Sequence, residues 1–274
     1  MAKLGIITNN SSEVFQRAVI NGVKQVAAAQ GHEVIVYASA DNEQYATHMM
    51  PEYKDLSGVL VIANAAANNV LDSLQHSGKP VSLVAHQVES LPVVMSNNVQ
   101  GTAELVRHLV VSCGRRNLVY IRGLPDQNDG KEREQSFRHE LLRYDLHVPE
   151  SHFLRGDFSS EIATESLRAF LKTGERFDGV IAADYMMGVA AIHTLREAHV
   201  DIPGEVSVVG FGDDQAAEIA GLTTVAANIT QLGACAARQI ITQINGLQIR
   251  GVTMLSVQLV IRNSCGYKRI QGEA

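Results

Sequence analysis

Three carboxylates, Asp184, Asp213 and Asp214, stand directly behind two short apolar runs, Gly179 to Ala182 and Val206 to Val209. At such a place an aspartate accepts hydrogen bonds from a bound hydroxyl or caps the next helix. The three together offer oxygens to Mg²⁺, but no phosphate-binding loop accompanies them. Gly210-Phe211-Gly212 supplies the first part of a dinucleotide fingerprint, and Gln215 stands where its third glycine belongs. The chain has no P-loop, no G-x-S-x-G elbow and no H-E-x-x-H pair. What remains is recognition chemistry: Asn9, Asn10, Ser11 and Ser12; the Ala63-Asn-Ala65-Ala-Ala67 turn; and Ala85-His86-Gln87. Asn and Ser are donors and acceptors for a small polar solute, His86 offers one of each near neutral pH, and the turn around Ala65 leaves room and backbone groups. Each also has a structural reading. Asn9 to Ser12 cap a helix, Asp184 caps the helix opening at Tyr185, and His86 is a solvated surface residue.

These groups follow strands, and the strands alternate with helices. Lys3 to Thr8 reads as a strand, followed by a helix from Ser12 with Phe15, Val19, Gly22, Val23, Val26 and Ala27 on one face. Strands follow at Val34 to Tyr37, Val59 to Ile62, Val81 to Val84 and Val93 to Met95, with helices near Asp41 to Met50 and over Asn69 to His76. A second series begins near Ser96: a helix over Val99 to Ser112, a strand over Leu118 to Ile121, and helices over Glu132 to Tyr144 and Ser159 to Leu171. Next come the two apolar runs with the helix Tyr185 to Ala198 between them, then Leu222 to Val225, a helix over Gln231 to Asn245 and a final strand over Met254 to Ile261. Strand, helix, strand at this spacing predicts parallel sheets covered on both faces, with ligands at the carboxyl ends of the strands.

The bulk numbers fit this architecture. A chain of 274 residues with 46% hydrophobic and 19% charged residues has the composition of a globular protein. No apolar run reaches the ~18 residues a membrane span needs. The start at Met1 enters a strand with no secretory leader, so the expected location is cytoplasmic and no membrane partner is expected. The formal net charge of -6 argues against this chain holding nucleic acid by its own surface. Cys113, Cys235 and Cys265 are odd in number and widely spaced, which predicts buried thiols and neither a disulfide framework nor a zinc site.

The runs Asp178-Gly-Val-Ile-Ala-Ala-Asp184, Val206-Ser-Val-Val-Gly-Phe-Gly-Asp-Asp214 and Leu222-Thr-Thr-Val225 resemble the C-terminal lobe of the effector core in LacI/GalR-type transcription regulators. The resemblance extends over nearly the whole chain. It implies an α/β fold of two Rossmann-like lobes, each a parallel sheet flanked by helices, joined by a three-crossing hinge as in type I periplasmic binding proteins. The lobes then comprise residues 1–96 with 226–252, and residues 97–225 with 253–274, and the ligand lies in the interlobe cleft. Lys131-Glu-Arg-Glu-Gln-Ser-Phe137 is similar to the family's R-x-x-G-F helix start, which makes Arg133 the ligand-contacting fork. Ion pairing with Glu132 or Glu134 is its structural alternative. The resemblance also gives Phe15 a place near the ligand, although Phe15 equally belongs to the apolar stripe of its helix. Phe211 is the family aromatic. Gly212 intervenes before the acidic residue, so that Asp213 takes the acidic role by a one-residue shift. Ala227 replaces the Gln after the Thr-Thr crossing and leaves Asn228 beside it. Ala85 and Ala183 also replace polar family residues, and the chain has no Trp to stack on a sugar face. An effector smaller or less hydroxylated than a typical hexose fits these departures.

The implied function is the ligand-sensing core of a transcription regulator, with no catalysis and no cofactor. Its expected partners are a small-molecule effector, a second copy in a homodimer, and DNA only through an N-terminal helix-turn-helix headpiece, for which Met1 leaves no room before the first strand. Two other readings stand beside it: the same sensor module from a multidomain signalling protein with a cyclase or kinase output, and a solute-transport binding protein.

Overall fold

In the computed structural model, residues 1–12, 14–38 and 55–267 are described, and the helix expected near Asp41 to Met50 lies outside them. Most strands are apolar without alternation and buried along their whole length, as parallel strands covered on both faces must be. The chain divides into two compact units, Met1–Ser96 with Asn228–Leu255, and Asn97–Ala227 with Ser256–Ala274.

The first unit is built on strands β1 (Lys3–Thr8), β2 (Glu33–Ala38), β3 (Gly58–Ile62), β4 (Val81–Val84), β5 (Val93–Ser96) and β11 (Val252–Leu255), in the order β11-β5-β4-β3-β1-β2. Every pairing among them is parallel. One core gathers Leu4, Ile6, Leu60 and Ile62 under helices α1 (Val14–Ala29) and α8 (Ile229–Ile244). The other gathers Ile7, Val59, Val61 and Leu83 with helix α2 (Asn68–His76). Helices α1 and α8 approach so closely that a Cβ on Gly22 would sit 1.9 Å from the Thr230 carbonyl oxygen. Gln239 of α8 accepts from buried Ser82 Oγ at 2.7 Å and donates to Thr253 Oγ1 at 3.0 Å, tying the helix to β4 and β11.

The second unit repeats the design with β6 (Leu118–Ile121), β7 (Phe153–Leu154), β8 (Gly179–Ala182), β9 (Ser207–Phe211), β10 (Thr223–Ala226) and β12 (Gln258–Val260). Their order is β12-β10-β9-β8-β6-β7, with β12 antiparallel and the other pairings parallel. Its helices are α3 (Asn98–Arg107), α4 (Asn128–Leu142), α5 (Ser160–Leu171), α6 (Tyr185–Glu197) and α7 (Gln215–Ala220). The short β7 and α7 have no sequence expectation, since two and six residues are too few to show a period.

Two sequence expectations need correction. The helix read over Val99 to Ser112 runs as α-helix only to Arg107, and His108–Ser112 widens into a π-helical turn. The single final strand read over Met254 to Ile261 is two strands, each joined to a different sheet: β11 pairs with β5, and β12 with β10. Both halves share one alternating pattern, which carries no sign of which edge each will meet. Among the described residues no helix is long and apolar enough to cross a membrane.

Candidate functional site

In the second unit the carboxyl ends of β8 and β9 are polar, and α3 and α4 bring further side chains to them. Asp184 follows β8 and caps α6, its Oδ1 accepting from the Met187 amide at 2.8 Å. Phe211 closes β9 and is buried. Gly212 then takes a φ of 92°, with Tyr185 Cδ1 3.0 Å from where a Cβ would lie, so the extra residue noted in the sequence is one that a side chain would strain. Beyond it, Asp213 receives a two-pronged fork from Arg262, Nη1 to Oδ1 and Nη2 to Oδ2, both at 2.8 Å. Asp214 caps α7 through the Ala216 amide at 2.6 Å. Each of the three aspartates therefore already accepts from a protein donor.

Arg133 is the centre of this group. It is 7% exposed, and each of its guanidinium nitrogens donates to a neighbour: Nε to Asn98 Oδ1 at 2.9 Å, Nη1 to the Ala183 carbonyl at 2.7 Å, and Nη2 to Asp129 Oδ2 at 3.0 Å. Its plane lies 3.8 Å from the centroid of Phe211, and Phe158 approaches from 6.0 Å. The expected pairing of Arg133 with Glu132 or Glu134 is not what the fold makes. Glu132 accepts from Asn98 Nδ2 at 2.7 Å, and Glu134 bonds Arg138. Asn98 thus holds the arginine with its oxygen and two carboxylates with its amide, the second being Asp129 Oδ1 at 2.8 Å. The network fixes a cation on an aromatic face, a geometry that suits binding.

Electrostatics mark Asp184 in this group. Burial among protein groups pushes its carboxyl up to about 6, against the opposing pull of the Met187 amide and the Arg133 charge. Its charge therefore changes in a range where a ligand's own hydroxyls do not.

In the first unit the strand-end groups are differently engaged. Asn10 Oδ1 accepts from the Ser12 amide at 2.9 Å and from Ser12 Oγ at 2.6 Å, and Asn9, Asn10 and Ser12 are exposed. Phe15 is half-buried and packs on the core between sheet and helices. Ala65 has no exposed surface and belongs to the opposite core. His86 follows Ala85, whose φ of 56° turns the chain out of β4. Both His86 ring nitrogens are enclosed without a hydrogen-bond partner among the described residues, and burial lowers the pKa of the ring. Asn228 is exposed and caps α8 by accepting from the Gln231 amide at 3.0 Å.

The structure thus brings Arg133 against the Phe211 ring and the Ala183 carbonyl, with Asp184 next in the chain, while Asp213 turns to Arg262. Asn98, Asp129, Phe158 and Arg262 were missed in the sequence. Asn98 and Asp129 each stand in the first turn of a helix, where a polar residue passes for a cap. Arg262 lies in a tail with no periodic signal.

The profile of the periplasmic binding protein-like domain matches residues 106–265, more than half of the chain. Among curated proteins, the HTH-type transcriptional regulator CelR of Thermobifida fusca is 26% identical over 266 residues, covering 92% of this chain and 76% of that protein. Among solved structures, a transcriptional regulator LacI from Bacillus cereus subsp. cytotoxis superimposes with a TM-score of 0.87 at 21% identity, covering 97% of this chain and 98% of that one. A complex of the transcriptional regulator CelR with cellobiose superimposes with a TM-score of 0.85 at 23% identity, covering 96% of this chain and 84% of that one.

Proposed function

The chain belongs to the periplasmic binding protein-like domain family, and from that premise we propose that it is the ligand-sensing core of a LacI/GalR-type transcription regulator. Its effector is a small polar molecule, sugar-like or smaller. The observation that carries this reading is the locked guanidinium of Arg133 on the face of Phe211 beside Asp184. Three of the roughly five N–H donors of an arginine are held by described residues, which leaves two for a hydroxyl pair or a carboxylate. The nature of the neighbours supports the same reading: CelR has been solved with cellobiose.

The proposed contacts in the second unit are Arg133, Asp184, Phe211 and Asp213. Those in the first are Asn9, Asn10, Ser12, Phe15, His86 and Asn228; Ala65, wholly buried in the core on the other side of the sheet, is left out. We assign the chain no catalysis, in keeping with its curated relatives, which are transcription regulators. The output is DNA binding through a headpiece, in a cytoplasmic homodimer.

Calorimetric titration of the full chain with cellobiose, monosaccharides, polyols, nucleosides and amino acids tests the effector class. One of the sugar-like ligands should bind with a stoichiometry near one, and Arg133→Lys, which keeps the charge and loses the fork, should weaken it at least tenfold. Undiminished affinity in Arg133→Lys removes Arg133 from the site, and the absence of any sugar-like binder removes the effector class.

A further inference from the structure

The second unit holds a second cluster that the effector reading does not use. His108, Cys113 and Cys265 are 4%, 5% and 0% exposed, and one ligand atom of each lies within 4.8 Å of the other two. His108 Nε2 is 3.6 Å from Cys113 Sγ. The spacing of His108 and Cys113 is five residues, which on a regular α-helix turns their side chains about 140° apart. The π-helical turn His108–Ser112 undoes that separation. The Cys113 amide donates to the His108 carbonyl at 3.0 Å, the i to i+5 bond that stacks the two residues on one face. Cys265 arrives from more than 150 positions later in the chain, on the 3-10 turn Asn263–Cys265 that follows β12. That turn is pinned in turn: Ser207 Oγ donates to the Cys265 carbonyl at 2.8 Å and receives Arg115 Nε at 2.9 Å. A buried thiol needs no ligand to explain it. Two thiols and an imidazole converging through a widened helical turn form a set.

We propose that His108, Cys113 and Cys265 bind one thiophilic d¹⁰ cation, Cu⁺ or Zn²⁺. Two sulfurs and a nitrogen are the donors such ions select, and the set has no carboxylate or hydroxyl oxygen for Mg²⁺ or Ca²⁺. Around a single ion with bonds of about 2.3 Å to sulfur and 2.0 Å to nitrogen, the donors stand about 3.5–4 Å apart, so the cluster closes on a metal with small side-chain rotations. As the ion enters, each sulfur still carrying a proton releases it to solvent, and His108 offers the lone pair of its unprotonated nitrogen. The Arg115 guanidinium, bonded through Ser207 to the Cys265 turn, offsets the negative charge that two thiolates leave around a monovalent ion.

The test uses the full chain, reduced and anaerobic. Cu⁺ is presented in competition with bathocuproine disulfonate, and Zn²⁺ in a separate arm with a chromophoric chelator. One equivalent of at least one ion should be held, and the arms decide which. Cys265→Ala and His108→Phe should each weaken it at least a hundredfold, while Cys235→Ala leaves it unchanged. Since buried substitutions can unfold the unit, alkylation of the wild-type protein in mild denaturant supplies an independent reading: metal should protect Cys113 and Cys265 and leave the labelling of Cys235 as it was. The proposal is overturned if neither ion is retained, if Cys265→Ala binds as well as wild type, or if protection falls on Cys235.

Discussion

The two units share a six-stranded design and treat the ends of their strands in opposite ways. In the second, polar groups are locked to one another: Arg133 to Asn98, Asp129 and the Ala183 carbonyl, and Asp213 to Arg262. In the first, Asn10 accepts from its neighbour Ser12, Asn228 serves its own helix, and the His86 ring is enclosed with no partner among the described residues. A locked group presents a ligand with donors already aimed, at little ordering cost, whereas groups spent on local turns must be redirected first. On the proposed function, the second unit is thus the preorganised half, and the first is the half whose polar groups must be redirected.

The most severe way to break this contrast is Arg133→Leu. It strands Asn98 Oδ1, Asp129 and the Ala183 carbonyl together, and removing one partner of a buried charged pair costs about 3–5 kcal/mol. Urea unfolding should report a loss in that range. A loss under about 1 kcal/mol would mean that the network is decoration and the contrast between the units is false.

Asp184→Asn sharpens the same point with a smaller effect of opposite sign. The folded carboxyl, raised to about 6, binds its proton more tightly than the unfolded chain does at about 3.9. The folded state therefore carries the extra proton between these values, and wild-type stability falls as pH rises through that window. Asparagine keeps the cap and carries no charge, so the variant should exceed wild type by up to about 3 kcal/mol at pH 8. The two should converge near pH 4, and denaturant midpoints across pH give the curve. A constant difference would assign the effect to the cap rather than to charge.

His86→Leu probes the first unit, with the smallest expected change. Burial depresses the folded pKa of His86, so its contribution is present above the unfolded value of about 6.5 and is lost as pH falls below it. Leucine removes two enclosed nitrogens that lack partners among the described residues, for a gain of about 1 kcal/mol at pH 8 that widens toward pH 5. Thermal unfolding at several pH values measures it. A destabilised variant would show that the ring has a role its surroundings do not reveal, and would bring the first unit closer to the second.

The alternation of strands and helices was legible because strands buried on both faces are short continuous apolar runs, as at Gly58–Ile62 and Gly179–Ala182. The fate of the tail was not: one alternating stretch supplies β11 to one sheet and β12 to the other, a choice made by the edges that receive it. The widened turn at His108 was hidden for a similar reason, since an extra residue in a helical turn leaves the apolar positions Leu105, Leu109 and Val110 in a helical spacing. At the site, Asp184 and Phe211 stood out as residues at strand ends. The partners that fix Arg133 did not, because Asn98 lies thirty-five positions away, and the enclosure of His86 depends wholly on tertiary packing.

The division of one tail between two sheets has a consequence for biosynthesis. When residues 1–96 have left the ribosome, their α1 still lacks α8, and the face formed by Val19, Ile20 and Val23 has no cover until residues 229–244 emerge. Five strands of the first sheet must then wait for residues 97–251 to be translated before their sixth arrives. The nascent chain carries a sticky, unfinished front half for much of its synthesis, and is a natural client for chaperones that shield apolar surface during translation.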